Sequence, residues 1–516
     1  MLQIDTSTLA ALRQAADIIE EVSEYVTYIG ILAPATPGTD NEKQAAAAWM
    51  IVKVEQAAAE GVFPNVTTAT YAENAPLFNK IWNNRATYSY KYSDAWIGVE
   101  WLTTSASPDV TRIGNMNLHK ADNHLIKRQM KTALKLDNGT LNYYLNPTDW
   151  TKKEDGSASK LDGTDGHVAT KLPTGYWCFV TAGNLRQIKF SEVMQPASAG
   201  WFFGDHIWVG SFEGSLNRTS LKLASVVNNS TTYRGGNNTS AWDAASNSLL
   251  GKPATNLSRT LFRTYARNTG ANCQDYFYSA HKYLWWAFVL QYATLNSQKP
   301  VVAALTTEGY FQGGLGNGVI TADGTQWNNF NGYNPFVNCG ASNSLASNSG
   351  EVSVVIPDFG GAGVSRTFTV PRFNGIENPF GHIWKNLDGI NIKVQSVAAG
   401  NESQAWVSNT PANWNDSNYT GYTNVGLLPR ADGYISDVLF GSSGEFLPKL
   451  ASGGSTTYYC DYLYTSIPGS GESLRALLVG GAASAGAIDG FVAAYTTFDP
   501  SSATANIGSR LCFLGA

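Results

Sequence analysis

LRALLVGGAASAGAIDGFVAAYTTFDPSSATANIGSRLCF, residues 474–513, is the stretch on which the reading of this chain turns. Its two ends, 474–479 and 507–513, are apolar and strand-like, and they carry Arg475 and Arg510. Between them lie small residues, with Tyr495, Phe498 and Asp499 set singly among them. Side chains this small fill little volume, and each Gly costs backbone entropy, so an ordinary core strand is not expected here. A Gly/Ser-rich surface loop is one reading. The other is a display surface, a rigid frame presenting interchangeable small side chains. Residue choice favours display, because no Lys, Glu, Gln, Trp or Met occurs from Ala482 to Asn506. On that reading residues 482–504 are irregular yet ordered, with their side chains on one exposed face. Arg475 and Arg510 are then buried and hydrogen-bonded at its base, since a buried guanidinium must be paired.

A chain of 516 residues is too long for one ordinary core, so two to four domains are expected. Low charge with abundant Gly, Asn, Ser, Thr and aromatics suits β-rich structure with many turns. A net charge of −5 argues against nucleic acid as a partner, which needs a basic face. The five scattered cysteines form no CxxC and read as buried free thiols, not a disulfide framework or zinc site. No signal peptide and no membrane-spanning run is legible, so a soluble protein made in the cytoplasm is expected.

Along the chain, residues 6–29 carry Leu9, Leu12, Ala16, Ile19, Ser23 and Val26 at spacings of three and four, which predicts a helix. That helix packs on its own domain or joins copies of the chain as a short coiled coil. A second helix is expected over 41–60, with Thr39 and Glu42 at capping-box spacing and Gly61 and Pro64 ending it. Residues 1–75 therefore form a helical attachment and oligomerisation head. A β-rich module follows over 76–170, with strands at 95–102, 140–145 and 168–172 and turns at Asn138-Gly139, Asp162-Gly163 and Asp165-Gly166. Its aromatics Trp96, Trp101, Tyr143, Tyr144 and Trp150 read as packing. The third region is 171–516. It shows one further helix, 274–295, very aromatic and buried on most sides, in which His281 reads as a satisfied polar side chain. Short strands fill the rest, including a hairpin of 352–356 and 367–370 around a turn at 358–363.

Catalytic motifs are weak. GGLGNG at 313–318 spells neither a dinucleotide loop nor a Walker loop and reads as a turn cluster. The six histidines stand alone, and His382 in NPFGHIW has no partner placed by sequence. Trp414-Asn415-Asp416 spells the WND triplet of calcium-dependent lectins, but the upstream triplet such sites need is missing.

The C-terminal part resembles the C-type-lectin-fold variable proteins of diversity-generating retroelements, the class that includes phage tropism determinants of gut-bacterial phages and prophages. The resemblance runs through RFNGIENPFGHIWKNLDGINI (372–392), TTYYCDYLYT (456–465), LRALLVGG (474–481) and NIGSRLCF (506–513). It covers 171–516 and, loosely, 90–170. It implies an α+β, β-rich fold with a C-terminal C-type-lectin-like domain, of the type shared with formylglycine-generating enzymes. In that family an adenine-directed mutator rewrites Asn codons, which cannot produce Lys, Glu, Gln, Trp or Met. The resemblance implies a variable, ligand-binding set made of Ala482, Ser484, Ala485, Ile488, Asp489, Ala493, Tyr495, Thr497, Phe498, Asp499, Ser502 and Thr504. Here only Asn506 remains where many members keep several Asn, so a fixed descendant of such a domain fits equally well.

The function expected is a virion adhesin of the tail-fibre or receptor-binding type, not an enzyme, with no cofactor and no metal. It binds a host-surface protein or glycan, with Tyr495 and Phe498 as anchors. Other virion proteins meet the N-terminal head, and a homotrimer is expected. Two alternatives stand beside it: a structural virion protein (capsid decoration or tail assembly), and a formylglycine-generating-type enzyme. The second needs a close cysteine pair, whereas Cys178, Cys273, Cys339, Cys460 and Cys512 are far apart.

Overall fold

A computed structural model describes residues 95–515 throughout and, before them, the backbone of six short strands. Those strands are Ile18–Ser23, Val26–Leu32, Ala47–Gln56, Val66–Ala72, Lys80–Ile81 and Tyr90–Lys91, joined as one antiparallel sheet. The helices expected at 6–29 and 41–60 are therefore corrected where backbone is described; the rest of both spans lies outside the described residues. The physical reason is composition. IIEEVS, VTYIGIL and AAWMIVKVEQ are rich in β-branched and aromatic residues, which lose side-chain freedom in a helix and fit a pleated surface.

From residue 95 onward strand far outweighs helix, and the chain is an α+β, β-rich fold. Four α-helices are used below: α1 (Leu125–Gln129), α2 (Arg259–Thr269), α3 (Tyr278–Tyr292) and α4 (Gly324–Asn331). Of the three after residue 171, only α3 is legible in the sequence. α2 is not, because its buried face includes Arg259 and Arg263, which reach carboxylates instead of lining an apolar stripe. α4 is a short Asn-rich helix whose capping residue is Asp323 and whose end is Gly332 in the left-handed region (φ +66°).

Helix α3 is the centre of the core. Every residue from Tyr278 to Gln291 is buried, so it has no polar face to show to water. Three sheets pack around it. A five-stranded sheet runs Phe202–Phe203, Tyr176–Ala182, Leu185–Ser191, Trp96–Leu102, Thr111–Gly114. It contributes Ile97, Val99, Trp177, Ile188 and Phe190 to the shared core. A seven-stranded sheet runs Asp149–Lys153, Leu141–Asn146, Thr132–Lys135, His167–Lys171, Ile207–Gly210, Leu511–Leu514, Cys273–Asp275. It joins strands from both sides of residue 170 to the chain's last strand, so the boundary expected at 170/171 is crossed by backbone hydrogen bonds.

The third sheet carries most of the 474–513 stretch. Its strands are β1 (Trp384–Gln395), β2 (Ser403–Val407), β3 (Thr423–Leu427), β4 (Gly433–Tyr434), β5 (Tyr462–Thr465), β6 (Glu472–Gly480), β7 (Gly490–Thr496) and β8 (Ile507–Gly508). Their order is β3-β2-β1-β6-β7-β5-β4, with β8 parallel to β1. The expectation that 482–504 is irregular fails at β7, which sits between β6 and β5 inside the sheet. The missing volume comes from elsewhere. Val492 and Ala494 face the α3 core, while Ala493 faces a second cluster built from Trp327, Phe330, Phe336, Phe359, Phe368 and Trp384. Small residues on β7 let those large rings approach closely. Gly490, at the start of β7 (φ +149°), is required by contact: a Cβ there would overlap the Asp461 carboxylate.

Candidate functional site: an aromatic ladder on the third sheet

Strand alternation sets the site. In β5, Leu463 points into the core, so Tyr462 and Tyr464 share the other face and stay half-buried. β7 lies parallel to β5 with Tyr464 opposite Tyr495, which places these two rings side by side. The ring centroids form a continuous series. Tyr434 meets Tyr462 edge-on at 5.0 Å, Tyr462 meets Tyr464 at 4.8 Å, and Tyr464 meets Tyr495 at 5.2 Å. Tyr495 then stacks on Phe498 at 5.1 Å and meets the buried Trp384 at 5.3 Å. All five ladder rings are partly exposed, while Trp384 anchors the inner end.

The frame beneath is held by backbone and by charge. The Ala476 N–H of β6 donates to the Phe498 carbonyl (2.9 Å), the Thr496 hydroxyl to the Tyr464 carbonyl (3.1 Å), and the Thr465 N–H to the Asp432 carboxylate (2.8 Å). Arg475 pairs with Asp499 at 2.6 Å beside Phe498. Arg475 is thus partly exposed at the rim, with 17% of its side chain accessible, and not buried as expected. Arg510 is fully buried and hydrogen-bonded as expected, donating to the carbonyls of Gly210, Glu377 and Asn378, all of which lie outside the ladder sheet. Burial, with Tyr462 and nearby carboxylates adding to it, raises the Tyr464 phenol above its usual range, so it remains a neutral hydroxyl.

The twelve sequence-predicted residues divide. Tyr495, Phe498 and Asp499 come together on the ladder and its ion pair. Thr497, Ser502 and Thr504 are half-buried in the segment that follows, where Thr504 donates to Asn506. Ser484 is exposed, and Ala485 and Ile488 are half-buried, in a loop that docks on residues 320–322 through Ala322 N–H to Ala483 O and Gly486 N–H to Ile320 O. Ala482, Asp489 and Ala493 are corrected: all three are buried and present nothing to a partner. Ala482 and Ala493 make room for the rings of the second cluster, and the Asp489 carboxylate packs against Gly481. Burial pushes the carboxyls of Asp489 and of Asp461, also fully buried, well above the usual range. Tyr434, Tyr462 and Tyr464 were missed as site residues. The alternation Tyr-Leu-Tyr in TTYYCDYLYT was the available signal, but the partner strand that aligns it with Tyr495 is set only by the sheet.

The other candidates are engaged in structure. His382 Nδ1 lies 2.5 Å from Glu213, and its Nε2 accepts from the N–H groups of Phe336 and Val337 (3.2 Å each). Burial favours a neutral Glu213, but Lys385, His382 and Arg510 overcome this and hold its carboxyl at about 2. His281 is satisfied by the Tyr276 hydroxyl and the Phe491 carbonyl, as read from sequence. Asp416 of the WND triplet receives Arg259 and Arg263, both at 2.7 Å. The five cysteines are free and buried. Such an arrangement offers flat, rigid, half-exposed rings with hydroxyl tips, which suits contact recognition. No family model matches the chain, and no curated protein matches it in sequence.

Proposed function

We propose that this chain is a phage or prophage virion adhesin that binds a host-surface protein or glycan without catalysis, and that it descends from the C-type-lectin-fold variable proteins it resembles. The observation that carries the reading is the ladder Tyr434–Tyr462–Tyr464–Tyr495–Phe498, half-exposed on a hydrogen-bonded sheet. Tyrosines give large contact area at low entropic cost, and clustered aromatic anchors dominate binding surfaces. Of the residues implied as variable, Thr497 and Ser502 are half-buried in the segment around Phe498, where small changes reshape the contour, while Asp499 is tied to the frame by its ion pair with Arg475. Virion attachment and trimer formation belong, on this reading, to the N-terminal region, and several copies turn weak single contacts into avid ones.

The test is adhesion of the fluorescently labelled full chain to a panel of gut-bacterial cells. Tyr464→Ala and Tyr495→Ala should each cut adhesion at least about tenfold, since a tenfold loss needs only ~1.4 kcal/mol at an anchor. Adhesion that survives both substitutions sinks the reading. Independent support would come from a reverse-transcriptase gene beside a near-copy of codons 474–510.

A further inference from the structure

We propose that the chain carries a second binding site, apart from the ladder, that takes a small zwitterion with an apolar side chain: a free amino acid or a dipeptide. The site is an open cavity of about 300 Å³ bounded by α1, the end of α3, the short strand Val301–Val302 and the strand Gly350–Ile356. Ligand pockets span about 300–1,000 Å³, so this one stands at the small end and suits a ligand of amino-acid size.

One cation and one anion line the cavity, and neither is matched among the described residues. Lys127, on α1, is half-buried and holds its ammonium 5.7 Å from the centre of the Phe311 ring, which belongs to the same lining. No carboxylate among the described residues pairs with it. Glu351 opens the strand Gly350–Ile356 and has no cationic partner there either. Its carboxylate rests on the Cα of Gly316, where an added Cβ would meet both it and Val301. Burial raises the Glu351 carboxyl above its ordinary value, and no ammonium or guanidinium pulls it back. Lys127 and Glu351 thus share a small space without neutralising each other. A singly charged ligand would meet one attraction and one repulsion there, whereas a zwitterion meets two attractions.

The remaining lining sorts by chemistry. Tyr292 and Phe311, with ring centroids 5.9 Å apart, form an apolar wall with Val301, Val302 and Leu345. Val302 is 41% exposed, which leaves apolar surface for a ligand side chain to cover. The polar side is built from behind. Asn374 is 1% exposed, and its amide donates to the buried Gln291 at 2.7 Å. It holds Ser349 from two directions: its N–H donates to the Ser349 hydroxyl at 3.0 Å, and that hydroxyl donates to its carboxamide oxygen at 2.9 Å. The Tyr292 phenol also reaches Ser349 and Gln291. This net fixes the floor before a ligand arrives, which lowers the ordering cost of binding. Beside it, the Asn348 amide donates to the Leu345 carbonyl at 3.2 Å and leaves its oxygen as an acceptor for a ligand ammonium.

Calorimetric titration of the full chain with L-leucine, leucyl-leucine, isocaproate and isoamylamine tests this. The last two are leucine without its ammonium and without its carboxylate. Leucine or leucyl-leucine should bind saturably, at least about fivefold tighter than either singly charged analogue. Tighter leucine assigns a free amino acid, and tighter leucyl-leucine a dipeptide. Lys127→Ala should erase the advantage over isoamylamine and keep that over isocaproate, and Glu351→Gln should do the reverse. No saturable binding of either zwitterion, an analogue that binds as tightly as the better zwitterion, or a preference that either substitution leaves unmoved would each overturn the assignment.

Discussion

Replacing Arg510 by Met tests how much one buried guanidinium contributes where the seven-stranded sheet meets the segment at Glu377–Asn378. Arg510 follows β8 and precedes the last strand. It reaches Gly210 on the seven-stranded sheet at 3.2 Å and Asn378 beside β1 at 2.5 Å, with Glu377 as the third acceptor. Its side chain is inaccessible to solvent, so water cannot replace those bonds. Hydrogen bonds to a charged donor contribute about 1.5–3 kcal/mol each, and an acceptor left buried and unpaired costs about 1–3 kcal/mol. The Glu377 and Asn378 bonds share one nitrogen, so the three do not add fully. Met fills nearly the same volume, which keeps the cavity term small. Losing the charge also removes one of the groups that hold Glu213 ionised. The expected loss is about 4–6 kcal/mol, a large share of the ~5–15 kcal/mol that keeps a typical protein folded. Arg510→Lys keeps the charge but not the fork, and should lose about 2 kcal/mol. Urea unfolding followed by tryptophan fluorescence should therefore rank the native chain above Lys and Lys above Met. A Met variant within about 1 kcal/mol of the native chain would refute the reasoning.

Tyr495→Ala and Tyr464→Ala should shift the urea midpoint far less than Arg510→Met, because both rings are half-exposed; equal losses of stability would make the ladder a packing feature instead of a contact surface. Asp388→Asn breaks the buried pair with Arg263 at 2.5 Å and should cost about 3–5 kcal/mol in the same assay. The pH profile should have two limbs. Glu213 is held at about 2 when folded, so its contribution is present above the ordinary value of 4.5 and is lost as pH falls from there toward 2. Asp461 and Asp489 are raised when folded, so theirs is present at acid pH and is lost as pH rises through their folded values. Melting temperatures across pH should show Asp489→Asn flattening the upper limb and leaving the acid limb intact; an unchanged upper limb would exclude Asp489 as its source. Light scattering on the full chain and on a chain starting at residue 95 should give a trimer and a monomer; a full-length monomer, or a trimer that survives the truncation, contradicts assembly through the N-terminal region.

The sequence by itself determined what depends on near neighbours. The Asn138-Gly139 turn, the hairpin around 358–363 and the aromatic helix α3 were legible because turn residues and side-chain periodicity act over a few positions. The burial of Arg510 was legible from its apolar flanks. What only the tertiary structure decided is which distant residues supply missing volume or missing charge. β7 is a core strand because Trp327, Phe336 and Trp384 fill the space its alanines leave, and nothing in GFVAAYT announces them. α2 was hidden because its buried arginines are satisfied by Asp388 and Asp416, more than 120 residues away. Tyr464 joins Tyr495 because two strands pair in one register, and a shift of one residue would turn every second ring into the core. Local pattern fixes which face a side chain takes on its own strand, but strand order and register are cooperative outcomes of the whole packed sheet, so the site they assemble could not be read from any one stretch.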